Sequence, residues 1–483
     1  MSAEDRRTRR ALVGVMLAIF LAAMESTVVA TAMPKVVDAL GGLHIYSWVF
    51  SGFLLTATVM MPVWGRLSDL FGRRPTYLAG LVIFLVGSAL SGAAQDMTQL
   101  IAFRLVQGLG AGSLMTLGMT IVGDLFTLER RARMQGYLSG VWGVASLAGP
   151  VLGGLLADLV SWRWVFYVNV PFGAVAMVLL AGALPASAPA GRRVRLDYPG
   201  FALFVTGVSA LLVGLVQAGR TGEWLSAGVV VPLAVAAAAL ALFVPVERRA
   251  AEPIVPLRLF ANRMVRAATI TGFLSGVAMF GAVSFIPLFL QAVTGMSATG
   301  AGLVIIPFVL GWVAFSIVSA RLVLRIGYRG LVTAGMLCLT AAFLLLLRWS
   351  AALTPVAAMR DALLAGIGMG LSMVPMLIGV QSAVDRTDLG AATSLTQFCR
   401  SLGGAIGVSV MGAVMAQRMA AGATMAQALH AVFVVGLVVA AAAVLSTLLV
   451  PGGRAQDLAR PDRRGTVPPS TPDTVRGRLS DAR

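Results

Sequence analysis

Charge is scarce in this 483-residue chain, where 12% of residues are Asp, Glu, Lys or Arg, against roughly 25% in soluble domains. That shortage excludes an ordinary water-soluble enzyme. Cysteine is scarcer still: Cys338 and Cys399 are the only two, both inside apolar runs, which leaves neither a disulfide framework nor a thiolate metal site. The two histidines, His44 and His430, lie far apart in sequence and near the expected outer surface. A membrane-embedded protease or transferase would need clustered His, Asp, Ser or metal ligands, so that class, like a regulatory scaffold, is a remote alternative. There is one lysine, Lys35, and no GxxxxGK[ST] phosphate loop, which excludes ATP hydrolysis by this chain. No cofactor and no metal are expected.

What is abundant is apolar side chain, 58% of the sequence, with a mean hydropathy of +0.89. A membrane helix takes about 20 apolar residues, and runs of that kind fill most of the chain. Fourteen are expected, over 11 to 32, 45 to 65, 75 to 94, 98 to 123, 134 to 157, 163 to 186, 198 to 218, 224 to 246, 266 to 293, 298 to 320, 328 to 348, 355 to 380, 390 to 416 and 428 to 450. The first run continues past Ala30 without a small-residue cleavage site, so it reads as a retained helix rather than a secretory leader. From Pro451 the composition turns to Pro, Arg, Asp, Ser and Thr, which predicts a disordered tail over 451–483.

An even number of spans puts both termini on one side. With the N-terminus inside, the inner segments hold 29 basic residues and the outer connections five, which orients both termini to the cytoplasm and the chain to a cytoplasmic (inner) membrane. The net charge of +17 is then a matter of topology and anionic headgroups. Nucleic acid is not needed to explain it.

Several motifs stand out. Between the second and third runs, Gly65-Arg66-Leu67-Ser68-Asp69-Leu70-Phe71-Gly72-Arg73-Arg74-Pro75 predicts a compact charged loop, with Gly72 free to adopt a positive φ where a helix ends and Pro75 suited to a first helical turn. Asp69 is an acid where positive charge is otherwise favoured, able to pair locally or to cap a helix elsewhere. The fourth run holds Arg104-Leu105-Val106-Gln107-Gly108-Leu109-Gly110-Ala111-Gly112, and the fifth Ala145 followed by Gly149-Pro150-Val151-Leu152-Gly153-Gly154. Small residues permit close helix approach and Pro150 permits a bend.

In this order the motifs resemble those of the major facilitator superfamily: the loop after helix two, the fourth-helix motif with Gln107, Gly108 and Gly112, and the antiporter motif with Gly149, Pro150, Gly153 and Gly154. Ala145 stands where that motif usually has Gly. Glu25-Ser26-Thr27 leading to Pro34, Trp162-Arg163-Trp164-Val165-Phe166-Tyr167-Val168-Asn169-Val170-Pro171 and Pro253-Ile254-Val255-Pro256-Leu257-Arg258-Leu259-Phe260 are similar to features of the fourteen-helix drug/proton antiporter branch, where the first-helix acid is more often Asp. The resemblance implies an all-α membrane protein built as 6 + 2 + 6 helices. Its expected parts are an N-terminus over 1–10, a six-helix bundle over 11–186, two inserted helices with linkers over 187–252, and a link with a second bundle over 253–450. It also implies a multidrug efflux pump conferring antibiotic resistance, working by alternating access. The loop holding Gly65, Asp69, Gly72, Arg73 and Arg74 would gate the cytoplasmic side by bonding to the opposite half near Gly390.

An internal repeat supports two halves independently. Ala320 to Arg329 aligns with Gly65 to Arg74, with Leu324 opposite Asp69, and Gly366, Gly368 and Gly370 echo Gly108, Gly110 and Gly112. Duplicated halves rock around a midplane site in many transporters.

Glu25 is the one acid deep inside a run, about 20 Å from the inner end at 1.5 Å per residue. Burial in hydrocarbon favours its neutral form, which suits a group that loads and unloads protons, and a cationic substrate could compete for the same carboxylate. Arg104 is expected either to pair with Glu25 or to reach the outer surface, and the partner of Arg400 is not legible. The expected activity is export of amphiphilic or cationic compounds by a monomeric antiporter driven by the proton gradient. The alternatives are a dedicated metabolite, lipid or siderophore exporter, or a symporter of the same fold.

Overall fold

The computed structural model describes residues 3–43, 45–185 and 197–453. His44, most of the expected linker before the inserted helices and the tail from 454 onward lie outside the described residues. The rest is helical: α1 (Ala3–Leu40), α2 (Trp48–Phe71), α3 (Arg73–Ala93), α4 (Met97–Leu125), α5 (Leu128–Leu159), α6 (Trp164–Ala183), α7 (Tyr198–Thr221), α8 (Ala227–Arg249), α9 (Arg263–Ala292), α10 (Ala298–Ile326), α11 (Tyr328–Leu346), α12 (Pro355–Ala383), α13 (Leu389–Ala420) and α14 (Met425–Ser446). Among the described residues, thirteen of these are long and apolar enough to span a bilayer. The fourteenth, α1, is bent by 41° between Glu4–Glu25 and Thr27–Leu40. The chain is a multi-pass membrane protein.

Helix ends follow local chemistry. Asp96, Asn262, Ser297 and Thr354 accept backbone N–H bonds at the starts of α4, α9, α10 and α12, and Thr424 with Gln427 forms a reciprocal capping box on α14. Each such cap satisfies donors that the first helical turn leaves orphaned. The expected loop from Gly65 to Pro75 is a correction: α2 continues through Asp69 to Phe71, and Gly72 alone, at φ 95°, turns the chain into α3. Charged residues end an apolar run without ending a helix. Gly327, at φ 85°, does the same between α10 and α11.

Helices α1 to α6 pack as one bundle and α9 to α14 as another, meeting where α2 lies on α13 and α5 on α10. The inserted pair, α7 and α8, sits on the outside of this seam, with α7 against α13 and α2. The repeat seen in sequence is reproduced in packing. A Cβ on Gly108 or Gly112 would strike the α2 carbonyls of Phe53 or Ala57, and one on Gly110 the α3 carbonyl of Gly80. In the second half, Gly366 and Gly370 meet the α10 carbonyls of Phe308 and Trp312, and Gly368 the α11 carbonyl of Gly335. Helices α4 and α12 are thus wedged between the equivalent neighbours of each bundle by the absence of side chain. We call the face where α1 begins and α14 ends the terminal face, and the opposite one the distal face.

Candidate functional site

Glu25 sits at the bend of α1 with no solvent exposure. Its Oε1 pairs with Arg104 Nη1 from α4, and its Oε2 accepts from Asn169 Nδ2 at 2.6 Å, in α6. The guanidinium is 1% exposed, also donates to Gln107 Oε1 (2.8 Å) and to the carbonyl of Val49 (3.2 Å), and lies 4.0 Å from the centroid of the Phe53 ring. Asn169 is steadied by Ser88, whose hydroxyl accepts from Nδ2 at 3.0 Å and donates to the carbonyl of Phe166 at 2.8 Å. Five helices, α1, α2, α3, α4 and α6, therefore contribute to the cluster around one carboxylate. The outer-surface position that sequence allowed for Arg104 is not what is found, because an arginine facing lipid is costly whereas this one has a carboxylate, an amide, a carbonyl and an aromatic face.

The glycines of α5 press against the same stretch of α1. A Cβ on Gly149 would collide with Thr27 Oγ1 and one on Gly153 with Thr31 Oγ1 and the carbonyl of Val28. Both threonines bond back to their own helix, to Met24 O at 3.0 Å and Val28 O at 2.9 Å, so neither hydroxyl can move away freely. Gly154 differs: a Cβ there meets nothing within 4 Å, and Pro150 is exposed. Of the expected packing glycines, Gly154 is thus a correction. Gly153→Ala is expected to lower the melting temperature and transport together, while Gly154→Ala should fall within the roughly 0.5 kcal/mol of ordinary surface changes; thermal denaturation in detergent checks both.

A second cluster closes the terminal face. Asp69 Oδ1 and Oδ2 accept from the backbone N–H of Gly390 (2.9 Å) and Ala391 (2.8 Å) in the first turn of α13, so a carboxylate caps a helix of the opposite half. Arg73 binds Asp69 Oδ1 at 2.5 Å, Asp124 Oδ2 at 2.7 Å and the carbonyl of Arg386 at 3.3 Å. The helices touch at glycine on both sides: a Cβ on Gly65 would lie 2.6 Å from the carbonyl of Gly390, and one on Gly390 2.5 Å from that of Gly65. Arg74, expected to act with Arg73, has no ion-pair partner among the described residues. One helical residue on, its side chain leaves from another side of α3.

The link before α9 joins the clamp. Arg66 Nη2 binds Glu252 at 2.5 Å, and Arg258, from a 3-10 turn at Leu257–Ala261, binds Asp388 at 2.8 Å. Just inside, Gln135 of α5 and Gln381 of α12 both donate to the carbonyl of Met119, at 3.2 and 3.1 Å. The seam is shut here by contacts from both bundles.

Residues 15–408 match the family model described as Major Facilitator Superfamily. The chain belongs to that superfamily. It is a transporter, similar over 420 residues at 38% identity to "Multidrug transporter protein MdtP" of Bacillus subtilis (strain 168), covering 86% of this chain and 77% of that one. It is 35% identical over 413 residues to "Multidrug resistance protein 3" of the same organism, covering 86% and 80%. The solved human organic anion transporter MFSD10 (TETRAN) superposes with a TM-score of 0.66 at 18% identity, covering 93% of this chain and 100% of that chain, a likeness of fold.

In this transporter the sequence singles out Glu25, with Arg104 as its partner in one of two readings and Gln107 only as part of the fourth-helix motif, and it gives no role to Asn169 or Ser88. A lone amide in an apolar span was the available signal for Asn169, since polar groups there are costly without a purpose. Asp124, Glu252 and Asp388 lie at or near helix ends, and no motif in the sequence sets them apart. Cys338 and Cys399 are free, and among the described residues no cluster of His, Cys, Asp or Glu could hold a metal.

Proposed function

We propose that this transporter exports amphiphilic compounds, including cationic ones, across the cytoplasmic membrane in exchange for protons, with both termini and the terminal face in the cytoplasm. The carrying observation is the Glu25–Arg104–Asn169 cluster: one carboxylate, sealed from solvent, whose charge is balanced by one guanidinium. A proton placed on Glu25 cancels one half of that pair and leaves Arg104 buried and uncompensated. Breaking a buried pair this way costs about 3–5 kcal/mol, enough to invert an equilibrium between two conformations. Protonation therefore loosens the α1–α4–α6 contacts, and relief comes when the bundles tilt. The α5 glycines at Thr27 and Thr31 carry motion of α1 into α5, one of the helices that form the seam. The names of the Bacillus subtilis relatives support drug-like cargo for this chain, and the 29-to-five charge bias supports the orientation.

With the Asp69 clamp engaged, the transporter is closed toward the cytoplasm. Asp69→Asn keeps the shape of the side chain but loses hydrogen bonds to an ionised acceptor, each worth about 1.5–3 kcal/mol. Expression should be retained and the melting temperature lowered, while turnover falls about tenfold or more, the rate equivalent of about 1.4 kcal/mol. A normal rate in Asp69→Asn proteoliposomes would remove the gate from the scheme. The function itself is tested with purified protein in proteoliposomes carrying an imposed pH gradient and loaded with ethidium or another amphiphilic dye. Dye movement against its gradient that collapses with a protonophore is expected, whereas movement indifferent to the protonophore contradicts proton coupling.

A further inference from the structure

Arg400 of α13 is a charged residue inside the second bundle that the foregoing leaves unused. It lies in the second bundle, roughly 15 Å in from the terminal face at about 1.5 Å per residue, beyond the layer made by Gln135, Gln381 and Met119. Among the described residues no carboxylate pairs with it: Nη1 reaches the Met373 thioether of α12 at 3.0 Å, and Nε has no partner. Its neighbours on α13 behave alike. Gln397 Nε2 contacts Met119 Sδ of α4 at 3.4 Å, and the Ser401 hydroxyl contacts Met61 Sδ of α2 at 3.9 Å.

Residues three and four apart share a helix face, so Gln397, Arg400 and Ser401 form one stripe. Two of them point across the seam at the first bundle. All three donors meet only sulfur, a weak acceptor on a flexible side chain that rearranges readily. Arg400 is half-buried, and leaving a guanidinium without an oxygen acceptor inside a membrane protein is costly. The carboxylate of Glu25, buried in the opposite bundle, is committed to Arg104 and Asn169.

We propose that Arg400, flanked by Gln397 and Ser401, binds an acidic group of the cargo, a carboxylate or sulfonate, with the methionines Met61, Met119 and Met373 yielding to the ligand's apolar body. The proposal rests on the transport reading above and narrows it: the cargo includes amphiphilic anions and zwitterions besides cations. Oxygen atoms of the ligand replace thioethers as acceptors, and the guanidinium can engage two of them at once. The site lies on the membrane-interior side of the closed clamp, so a ligand bound there leaves Asp69 and Gly390 undisturbed.

The test is equilibrium binding of 1-pyrenebutyrate and its uncharged amide, 1-pyrenebutyramide, to the full chain in neutral-lipid nanodiscs at one pH and without any gradient. Wild type should bind the carboxylate about tenfold or more tightly, as a charge-assisted bond requires. Arg400→Gln should bring the two affinities together, and Arg400→Lys should keep most of the preference. Glu25→Gln, which ends proton coupling, should leave the preference intact, so loss of transport and loss of anion recognition are read separately. Equal affinity of wild type for acid and amide overturns the proposal without recourse to any variant. A preference undiminished in folded Arg400→Gln overturns it as well.

Discussion

Glu25→Gln is expected to reduce gradient-driven export to the background of protein-free liposomes and also to destabilise the protein. The two effects have different origins. Gln keeps the shape of Glu and can still accept from Asn169, but it neither carries a proton nor balances Arg104, which is 1% exposed. Removing one partner of a buried pair costs about 3–5 kcal/mol, whereas replacing both by neutral groups can be close to neutral. Glu25→Gln/Arg104→Gln should therefore regain most of the lost thermal stability and none of the transport. A double variant as unstable as the single one would mean that the pair is held by packing rather than by charge. Export restored in the double variant would mean that Glu25 matters for folding and not for coupling.

The second large effect is expected at the crossing of α2 and α13. In Gly390→Ala the new methyl would lie 2.5 Å from the carbonyl of Gly65, 2.6 Å from Ser68 Oγ and 2.7 Å from Asp69 Oδ1. A backbone carbonyl cannot step aside as a long side chain can, so the helices must separate and the Asp69 bonds to Gly390 and Ala391 lengthen. Each bundle keeps its own core, because the clash is between bundles. Spin labels at the terminal-face ends of α2 and α13 should report a longer and broader distance distribution than in wild type, and transport should fall about tenfold or more, again a matter of about 1.4 kcal/mol. An unchanged distance with wild-type turnover would show that the crossing is not the closure point.

Much of this architecture was legible because a bilayer dictates helix length. The expected spans differ from the observed helices mainly where a charge interrupts the apolar run without ending the helix. Lys35 is the clearest case: α1 runs on to Leu40, and Lys35 pairs there with Asp158 at 2.8 Å. The glycine triplets of α4 and α12 were visible as a repeat because close helix contact leaves few residue choices. The pairing of Glu25 with Arg104 was one of two readings, since sequence gives a residue's depth along its own helix but not the rotation of that helix against its neighbours. Asn169, Ser88 and Asp124 were missed for the same reason. Asp388 and Glu252 meet Arg66 across the seam between bundles, and no periodicity within one bundle encodes a register between two.

Proton release on cargo binding is the most direct measurement of the central claim that one carboxyl exchanges H⁺ for cargo. Purified transporter in weakly buffered detergent solution, with a pH indicator present, should release protons when an amphiphilic cation such as ethidium is added, and Glu25→Gln should bind dye without releasing them. Dye binding by wild type with no proton release, or equal release from Glu25→Gln, would contradict the account.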